Sequence, residues 1–198
     1  MGVANRFENL DIDPDYNMFS GHNFDLDHND TQDTCKYYTI DEYNLIDQSD
    51  SPITLLSYNI RSFTKNCVAL EGLLGSMKEP PDIIVLSETW ATPDNQQLCN
   101  IKDYNPFHVL RDGRSGGVSI FCKPALKPEL MEKLCEVSQY IETCVVKVNC
   151  NNFSIIVMGI YRPHAGTIDS FSSLLLQKLH TLSGADLVCV LGDFNIYI

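Results

Sequence analysis

The sequence lacks the features that mark membrane, secreted and repeat proteins. Its 198 residues contain no apolar run that approaches the ~20 residues needed to cross a bilayer. The amino-terminal MGVANRFENL has no apolar segment of the kind found in secretory signal peptides. No stretch repeats at a fixed period, which excludes a solenoid or propeller. We therefore expect a globular domain of ordinary composition without a membrane partner.

Paired cysteine motifs are also missing, although eight cysteines are present. The cysteines show neither CxxC nor the Cys/His spacing of zinc sites, and several lie inside apolar runs, as Cys189 does in LVCVL. Isolated cysteines of this kind are typical of small buried hydrophobes in a reducing compartment. We therefore expect an intracellular protein of the nucleus or cytoplasm, without a disulfide-linked partner.

An excess of basic residues, the usual footprint of nucleic-acid binding, is missing as well. The net charge is −12, and it is uneven: residues 1–50 hold 12 acidic and 2 basic side chains, whereas residues 51–198 hold 14 and 12. The count alone therefore gives no support for a nucleic-acid partner, although it does not test for a clustered basic face.

Three regions follow one another along the chain. The acidic leader, residues 1–35, has few aliphatic side chains and cannot offset its ordering entropy, so we predict that it is disordered. Residues 36–50 predict a linker with a short element, a helix that begins at Thr39 with Glu42 three residues on. Residues 51–198 are predicted to form the amino-terminal portion of a folded domain.

Within residues 51–198, apolar runs of strand length alternate with one-sided helical patterns. Thr64 is predicted to cap a helix that Pro80-Pro81 stop, and Asp169 or Ser170 is predicted to cap a second helix, with Phe171, Leu174, Leu175 and Leu182 on one side. The alternation of strand–helix–strand units with hairpins predicts an α/β fold with a mixed sheet. Three strands are predicted at 53–60, 82–88 and 186–193, and the last two are expected to be buried on both faces. Two hairpins are also predicted, one pairing 104–110 with 116–123 and the other pairing 141–148 with 153–161.

Four predicted strands end in polar side chains that a buried core does not favour. Ligand sites in α/β sheets gather where the carboxyl ends of strands meet, and a carboxylate there is costly unless it is paired or bound to a metal. Taken singly, each has a structural alternative: a turn for Asn59, an ion pair for Glu88, the edge of the core for Tyr161 and a turn for Asp193. Taken together and in order, they indicate a site.

The segments SYNIRSF, LSETW, GIYRPH and LGDFN, in this order, resemble the endonuclease/exonuclease/phosphatase superfamily, which includes DNase I and the AP endonucleases. The Thr-Trp after Glu88, the RDGRSGGVSIF hairpin, the YRP tripeptide and YYTIDEYN are most similar to the endonuclease domain of non-LTR (LINE-type) retrotransposons. The resemblance covers about residues 36–198. It implies a DNase I-like α/β sandwich, in which helices flank two packed mixed sheets.

The resemblance implies metal-dependent hydrolysis of phosphodiesters, here by a DNA-nicking endonuclease that uses Mg²⁺ or Mn²⁺. By resemblance, Glu88 is the metal ligand and Asn59 lies beside it, at the metal or the phosphate. Asp193 would orient or deprotonate the attacking water, and Asn195 would steady Asp193. Tyr161 would donate a hydrogen bond to the charge that develops on the phosphoryl oxygens.

Two arginines are further candidates for contact with the DNA backbone. Arg61 stands where AP endonucleases carry an aspartate, as it does in DNase I-like sequences, which argues against abasic-site repair and adds a phosphate-binding cation. Arg162 is the second candidate, with a structural ion pair as the alternative.

The resemblance also implies closing strands and an Asp-His pair beyond GDFN, but the sequence stops three residues after Asn195. We therefore expect a fragment with an incomplete fold, an exposed edge at 186–193, little or no activity, and a reverse transcriptase domain downstream in the parent element. Three alternatives stay open: another phosphodiesterase or phosphatase of the superfamily, a non-catalytic remnant whose acidic tail binds a basic protein, and a product that does not fold.

Overall fold

A computed structural model describes residues 38–46, 53–113, 115–150 and 153–196, so the acidic leader predicted at 1–35 lies outside the described residues. Within these ranges, no helix has the length and apolar character needed for a membrane span. The helices and strands are α1 Ile40–Leu45, β1 Leu55–Asn59, α2 Phe63–Ser76, β2 Ile83–Ser87, β3 Asn105–Val109, β4 Val118–Cys122, β5 Glu129–Leu130, β6 Glu136–Val137, β7 Glu142–Cys150, β8 Phe153–Tyr161, α3 Ile168–Thr181 and β9 Leu187–Asp193.

The strands form two mixed sheets. The first has the order β1-β2-β4-β3, in which β1 and β2 are parallel and β4 runs antiparallel to both of its neighbours. The second has the order β5-β7-β8-β9, with β6 also paired to β7; β7 and β8 are antiparallel, whereas β8 and β9 are parallel. Both predicted hairpins, β3–β4 and β7–β8, are confirmed.

The two sheets pack face to face, and helices cover their outer faces. Between the sheets, Val85 and Ile120 of the first pack with Val146 and Val157 of the second, all fully buried. Helices α1 and α2 cover the outer face of the first sheet, and α3 covers that of the second. Each large apolar side chain buried in this way stabilises the fold by roughly 1.5–3 kcal/mol. The α/β sandwich expected from the resemblance is therefore confirmed.

The central and edge strands differ in burial. All five residues of β2 are buried, as expected of a continuous apolar run in the middle of a sheet. The side chains of β9 pack against the other sheet on one face and on the α3 side on the other, but all seven residues are only partly buried. The prediction of full burial is therefore wrong, whereas the exposed edge expected at 186–193 agrees with this partial burial. Among the described strands, β9 lies at the edge of its sheet, so its apolar side chains have a neighbouring strand on one side only.

The short helix predicted at Thr39 is confirmed. The Thr39 hydroxyl accepts a hydrogen bond from the Glu42 amide at 3.2 Å, and the Glu42 carboxylate accepts one from the Thr39 amide at 2.7 Å. This reciprocal pair satisfies two amide groups that the first turn of a helix leaves without partners. Asn44 then joins α1 to the end of α2, since its side chain bonds the Ser76 carbonyl and the Lys78 amide.

The predicted starts of the two longer helices are wrong by a few residues. Helix α2 begins at Phe63 rather than after Thr64, and Ser62 precedes it without a capping bond from its side chain. Helix α3 is capped by Thr167, not by Asp169 or Ser170, and the Thr167 hydroxyl accepts a hydrogen bond from the Ser170 amide at 3.3 Å. Phe171 lies on the buried side of α3, which agrees with the one-sided helical pattern of the sequence.

The cysteines of the described residues are free thiols, and three of them are fully enclosed in the core. Burial raises the pKa of Cys122 to about 12, so this side chain stays a neutral thiol at physiological pH. These cysteines pack as small apolar side chains, which agrees with their isolated positions in apolar runs. The free thiols are Cys67, Cys99, Cys122, Cys135, Cys144, Cys150 and Cys189.

Candidate active site

The carboxyl ends of two parallel strand pairs meet at one edge of the sandwich. In the first sheet, β1 ends at Asn59 and Glu88 follows β2 directly. In the second, β8 ends at Tyr161, which pairs in register with Asp193 at the end of β9. Parallel strands end at the same edge of a sheet, so each pair delivers its two side chains to one place.

The side chain of Asn59 joins the two sheets at this edge. Its amide nitrogen donates to Glu88 Oε1 at 3.1 Å and to Asp193 Oδ2 at 2.8 Å. Since one nitrogen contacts both carboxylates, their oxygens lie within roughly 6 Å of each other. The Asn59 carbonyl oxygen accepts a hydrogen bond from the Arg61 amide at 3.2 Å, which fixes the amide plane. Three residues predicted from separate motifs are therefore brought together.

Asn195 holds the Asp193 carboxylate from the other side. The Asn195 amide donates to Asp193 Oδ1 at 3.0 Å, while Oδ2 accepts from Asn59. The Asn195 side chain in turn donates to the Arg162 carbonyl at 2.8 Å, which ties the loop after β9 to the end of β8. Both oxygens of Asp193 thus have a fixed donor, and the carboxylate is held in one orientation.

Arg162 is committed to the main chain around the site. Its guanidinium donates to the Asn195 carbonyl at 2.6 Å and to the Gly166 carbonyl at 3.1 Å, and its amide donates to the Asp193 carbonyl at 2.9 Å. This geometry supports a role in holding the Asn195 loop. The contact with DNA predicted for Arg162 stays a prediction.

Tyr161 lies beside the two carboxylates, with only 5% of its surface exposed. Burial, and then the negative charges of Glu88 and Asp193, raise the pKa of Tyr161 to about 12. The side chain therefore stays a phenol, a hydrogen-bond donor, at neutral pH.

Unusual backbone geometry gathers at the same edge. Non-glycine residues seldom adopt a positive φ, and each such residue costs of order 1–3 kcal/mol unless its surroundings enforce it. Five such residues lie at or next to the strand ends of the site, a clustering that is typical of functional sites. They are Arg61 (φ 45°), Ser62 (84°), Glu88 (52°), Trp90 (55°) and Asn195 (47°).

Two charged residues near the site were not predicted from the sequence. Glu142, at the start of β7, is fully buried, and it forms an ion pair with Arg111, whose side chain is 31% exposed. Glu142 pairs in register with Tyr161, and both residues act electrostatically on the Tyr161 phenol. A glutamate at the head of the apolar run ETCVV was the signal that could have identified it.

The donor set suits a divalent cation held partly by substrate and water. Glu88 and Asp193 offer carboxylate oxygens, which are ligands that Mg²⁺ prefers, whereas Asn59 turns its side-chain nitrogen towards both carboxylates and its oxygen towards the Arg61 amide. Among the described residues, no three His, Cys, Asp or Glu side chains cluster in a way that could enclose a metal ion. Mg²⁺ usually binds through only one or two carboxylates, with waters and phosphate oxygens completing its shell, so the residues present fit this mode.

Solved structures with the same fold include two endonucleases and a protein in complex with a DNA product. An AP endonuclease of Leishmania major is 17% identical over 73% of this chain and 55% of its own, with a TM-score of 0.56. The endonuclease domain of TRAS1, a telomere-specific non-LTR retrotransposon, is 15% identical over 73% and 61%, with a TM-score of 0.53. D. rerio TDP2 in complex with a single-strand DNA product is 16% identical over 74% and 62%, with a TM-score of 0.51.

At these sequence identities, the similarity to the solved structures establishes the fold alone. The chain spans little more than half the length of the solved chains. A comparison with curated protein sequences finds no match. The model of the Endonuclease/Exonuclease/phosphatase family, however, matches residues 56–197, which include every strand end that forms the site. With the fold, the ordered motifs and this match in agreement, the chain belongs to the endonuclease/exonuclease/phosphatase family.

Proposed function

We propose that this chain hydrolyses phosphodiester bonds of DNA with the help of a divalent metal ion, as a nicking endonuclease of the non-LTR retrotransposon type. The observation that carries the proposal is the position of the Asn59 amide between the Glu88 and Asp193 carboxylates. These three residues come from strand ends in two different sheets, and a purely structural role would not require their convergence. Membership of the family supports the same reaction class.

Glu88 would hold the metal, Mg²⁺ or Mn²⁺, with Asn59 beside it. When bound, the ion supplies positive charge that neutralises the phosphoryl oxygens in the transition state. Asp193 is the acceptor for a proton of the attacking water, because its two oxygens are held by Asn59 and Asn195 and its orientation is set before substrate binds. Tyr161 donates a hydrogen bond from a phenol that stays protonated at neutral pH.

Arg61 favours DNA nicking over the repair of abasic sites. It is exposed, it follows Asn59 by two residues, and its amide is tied to the Asn59 side chain. A guanidinium at this position suits a phosphate of the DNA backbone. The fold does not separate the possible substrates, since TRAS1, the AP endonuclease and TDP2 share it with similar TM-scores. The Ser-Glu-Thr-Trp and Tyr-Arg-Pro segments support the retrotransposon type.

Nicking of a supercoiled plasmid in the presence of Mg²⁺ tests this function. Replacing Glu88 by glutamine or Asp193 by asparagine keeps the side-chain shape, and each substitution is expected to slow nicking by about 10²–10⁴-fold. Glu79→Gln is the matched control, because Glu79 is exposed and precedes β2, at the end opposite to Glu88. Nicking at the unchanged rate in Glu88→Gln would contradict the proposal.

Metal binding is measured beside the rate, because binding of the ion and hydrolysis are separate steps. Mn²⁺ binding that is lost in Glu88→Gln and kept in Glu79→Gln supports the site even where nicking is slow. A chain that neither nicks DNA nor binds Mn²⁺ through Glu88 contradicts the proposal.

A further inference from the structure

Glu142 is a fully buried carboxylate at the point where the two sheets meet beside the proposed site. Its side chain has no exposed surface, and in the β7–β8 ladder it lies opposite Tyr161. Burial raises the pKa of Glu142, while the hydrogen bond from Gly117 and the charge of Arg111 oppose that rise. Its carboxylate accepts hydrogen bonds from the Gly117 amide and from the Arg111 guanidinium. An unpaired charge at this depth costs several kcal/mol, so both partners are needed.

A short chain of hydrogen bonds leads from Glu142 to the residues that follow Glu88. The Gly117 carbonyl accepts from the Thr89 amide at 3.2 Å, and the Gly116 carbonyl accepts from the Trp90 amide at 2.9 Å. Thr89 and Trp90 directly follow Glu88 in the sequence. The peptide unit between Gly116 and Gly117 donates to Glu142 and accepts from Trp90, so Glu142 helps to hold the turn that carries Glu88, together with the Ser62 and Phe63 amides, which donate to the Glu88 and Thr89 carbonyls.

The two glycines fit around the Glu142 carboxylate. A side chain on Gly116 would place its Cβ 2.6 Å from Glu142 Oε1, closer than real contacts allow, and 3.0 Å from Arg111 Nη1, which is a tight contact. Gly117 has a φ of 88°, and a Cβ there would lie 2.6 Å from the Thr89 hydroxyl oxygen. The Gly-Gly sequence is therefore the one that lets the backbone approach Glu142 on one side and Thr89 on the other.

The turn that carries Glu88 needs such support. Glu88 and Trp90 both adopt a positive φ, 52° and 55°, which an isolated segment would not keep. Stability alone is a weak reason for the buried pair of Glu142 and Arg111, because well-packed apolar residues in place of a buried ion pair are often as stable. The pair instead links the second sheet, which provides Tyr161, to the Glu88 turn of the first.

From these contacts we infer that Glu142 is a positioning residue, which holds the Glu88 turn at the metal site through Gly116-Gly117 and Thr89-Trp90. The inference rests on the proposed function, in which Glu88 is the metal ligand. Glu142 itself does not touch the substrate in this scheme, and Arg111 completes the pair by neutralising the buried carboxylate. Removal of supporting groups of this kind typically weakens metal affinity by about 10–100-fold.

Trp90 provides a probe that does not depend on activity, because it is the sole tryptophan of the sequence and its amide bonds Gly116. In Glu142→Gln we expect stronger acrylamide quenching of Trp90 fluorescence and a Kd for Mn²⁺ about 10–100-fold higher than in the unchanged chain. The matched control is Glu136→Gln, which removes the carboxylate of another ion pair of the second sheet, 2.8 Å from Lys178 Nζ. It should change neither measurement.

Each outcome decides the inference. Unchanged quenching of Trp90 or an unchanged Mn²⁺ affinity in a folded Glu142→Gln chain overturns the inference about Glu142. If Mn²⁺ binding is lost in Glu88→Gln in the same experiment, the proposed function is still supported. If Glu142→Gln does not fold by circular dichroism, Arg111→Lys decides, because lysine keeps a cation opposite the buried carboxylate and removes the guanidinium hydrogen bond that orients it. In this variant we also expect stronger quenching of Trp90 fluorescence and a higher Kd for Mn²⁺. Mn²⁺ binding that is indifferent to Glu88 refutes the proposed function and the inference with it.

Discussion

Replacing Gly192 by alanine tests how closely β9 must approach β8 to place Asp193. Gly192 has a φ of 142°, and a Cβ there would overlap the Ile160 carbonyl oxygen and lie 2.8 and 2.9 Å from Ile160 C and N. These are backbone atoms of the paired strand, so β9 has to move away from β8. Positive φ costs a non-glycine residue about 1–3 kcal/mol and overpacking about as much, which together lower the free energy of unfolding by roughly 2–6 kcal/mol.

Urea denaturation followed by circular dichroism measures this loss, with Gly75→Ala as the matched control. Gly75 lies in α2, and a Cβ there meets nothing within 4 Å, so alanine should raise the free energy of unfolding by about 0.4–1 kcal/mol. The two substitutions add the same methyl group and are expected to act in opposite directions. A Gly192→Ala chain within about 0.5 kcal/mol of the unchanged chain would refute the close β8–β9 approach, since surface substitutions cause changes of that size.

Three further substitutions probe the cap of α3, a buried histidine and the phenol of the site. Thr167→Ala removes the acceptor for the Ser170 amide and should lower the free energy of unfolding by about 1 kcal/mol in urea; no change would show that the cap contributes nothing. Burial lowers the pKa of His108 from its ordinary value of 6.5, so above pH 6.5 the ring is neutral in both the folded and the unfolded chain. As the pH falls below 6.5, the unfolded chain takes up the proton first, and the free energy of unfolding decreases. Thermal unfolding of His108→Gln, which lacks the ring bonded to Ser119 at 2.8 Å, should depend less on pH in this range, and an equal dependence would contradict the assignment. Tyr161→Phe should slow Mg²⁺-dependent nicking by about 10²-fold and leave the Kd for Mn²⁺ unchanged, because the phenol acts on phosphoryl charge; an unchanged rate would count against that role.

Much of the strand framework could be predicted from the sequence, because its signals are local. The continuous apolar run of β2 identifies a central strand, and its abrupt end at Glu88 marks a position where burial stops. The predicted strand 53–60 also places Asn59 correctly at the end of β1, although β1 lies at the edge of its sheet and is only partly buried. Since parallel strands end at a common edge, the order of the motifs predicts that these side chains meet, and the Asn59 hydrogen bonds to Glu88 and Asp193 confirm the contact. The catalytic roles assigned to them stay predictions.

Features that depend on distant parts of the chain could not be predicted. The start of α3 offers Thr167, Asp169 and Ser170, all of which have side chains suited to capping, and the local pattern does not distinguish them; in the structure Thr167 is the cap. The partners of Glu142 lie 25 and 31 residues away in sequence, at Gly117 and Arg111. The local sequence shows that Glu142 is a charged residue beside an apolar run, but it does not show which distant residues neutralise that charge.

The most direct test of the central claim is to locate Mn²⁺ by its anomalous scattering in crystals of the chain grown with the metal. The claim is that the strand ends at Asn59, Glu88 and Asp193 form one metal-dependent site for phosphodiester hydrolysis. The expected result is a single strong peak within about 2–3 Å of a Glu88 carboxylate oxygen, with Asn59 and Asp193 around it, and no such peak in Glu88→Gln. A peak elsewhere in the molecule, or one that persists at this place in Glu88→Gln, would contradict the account.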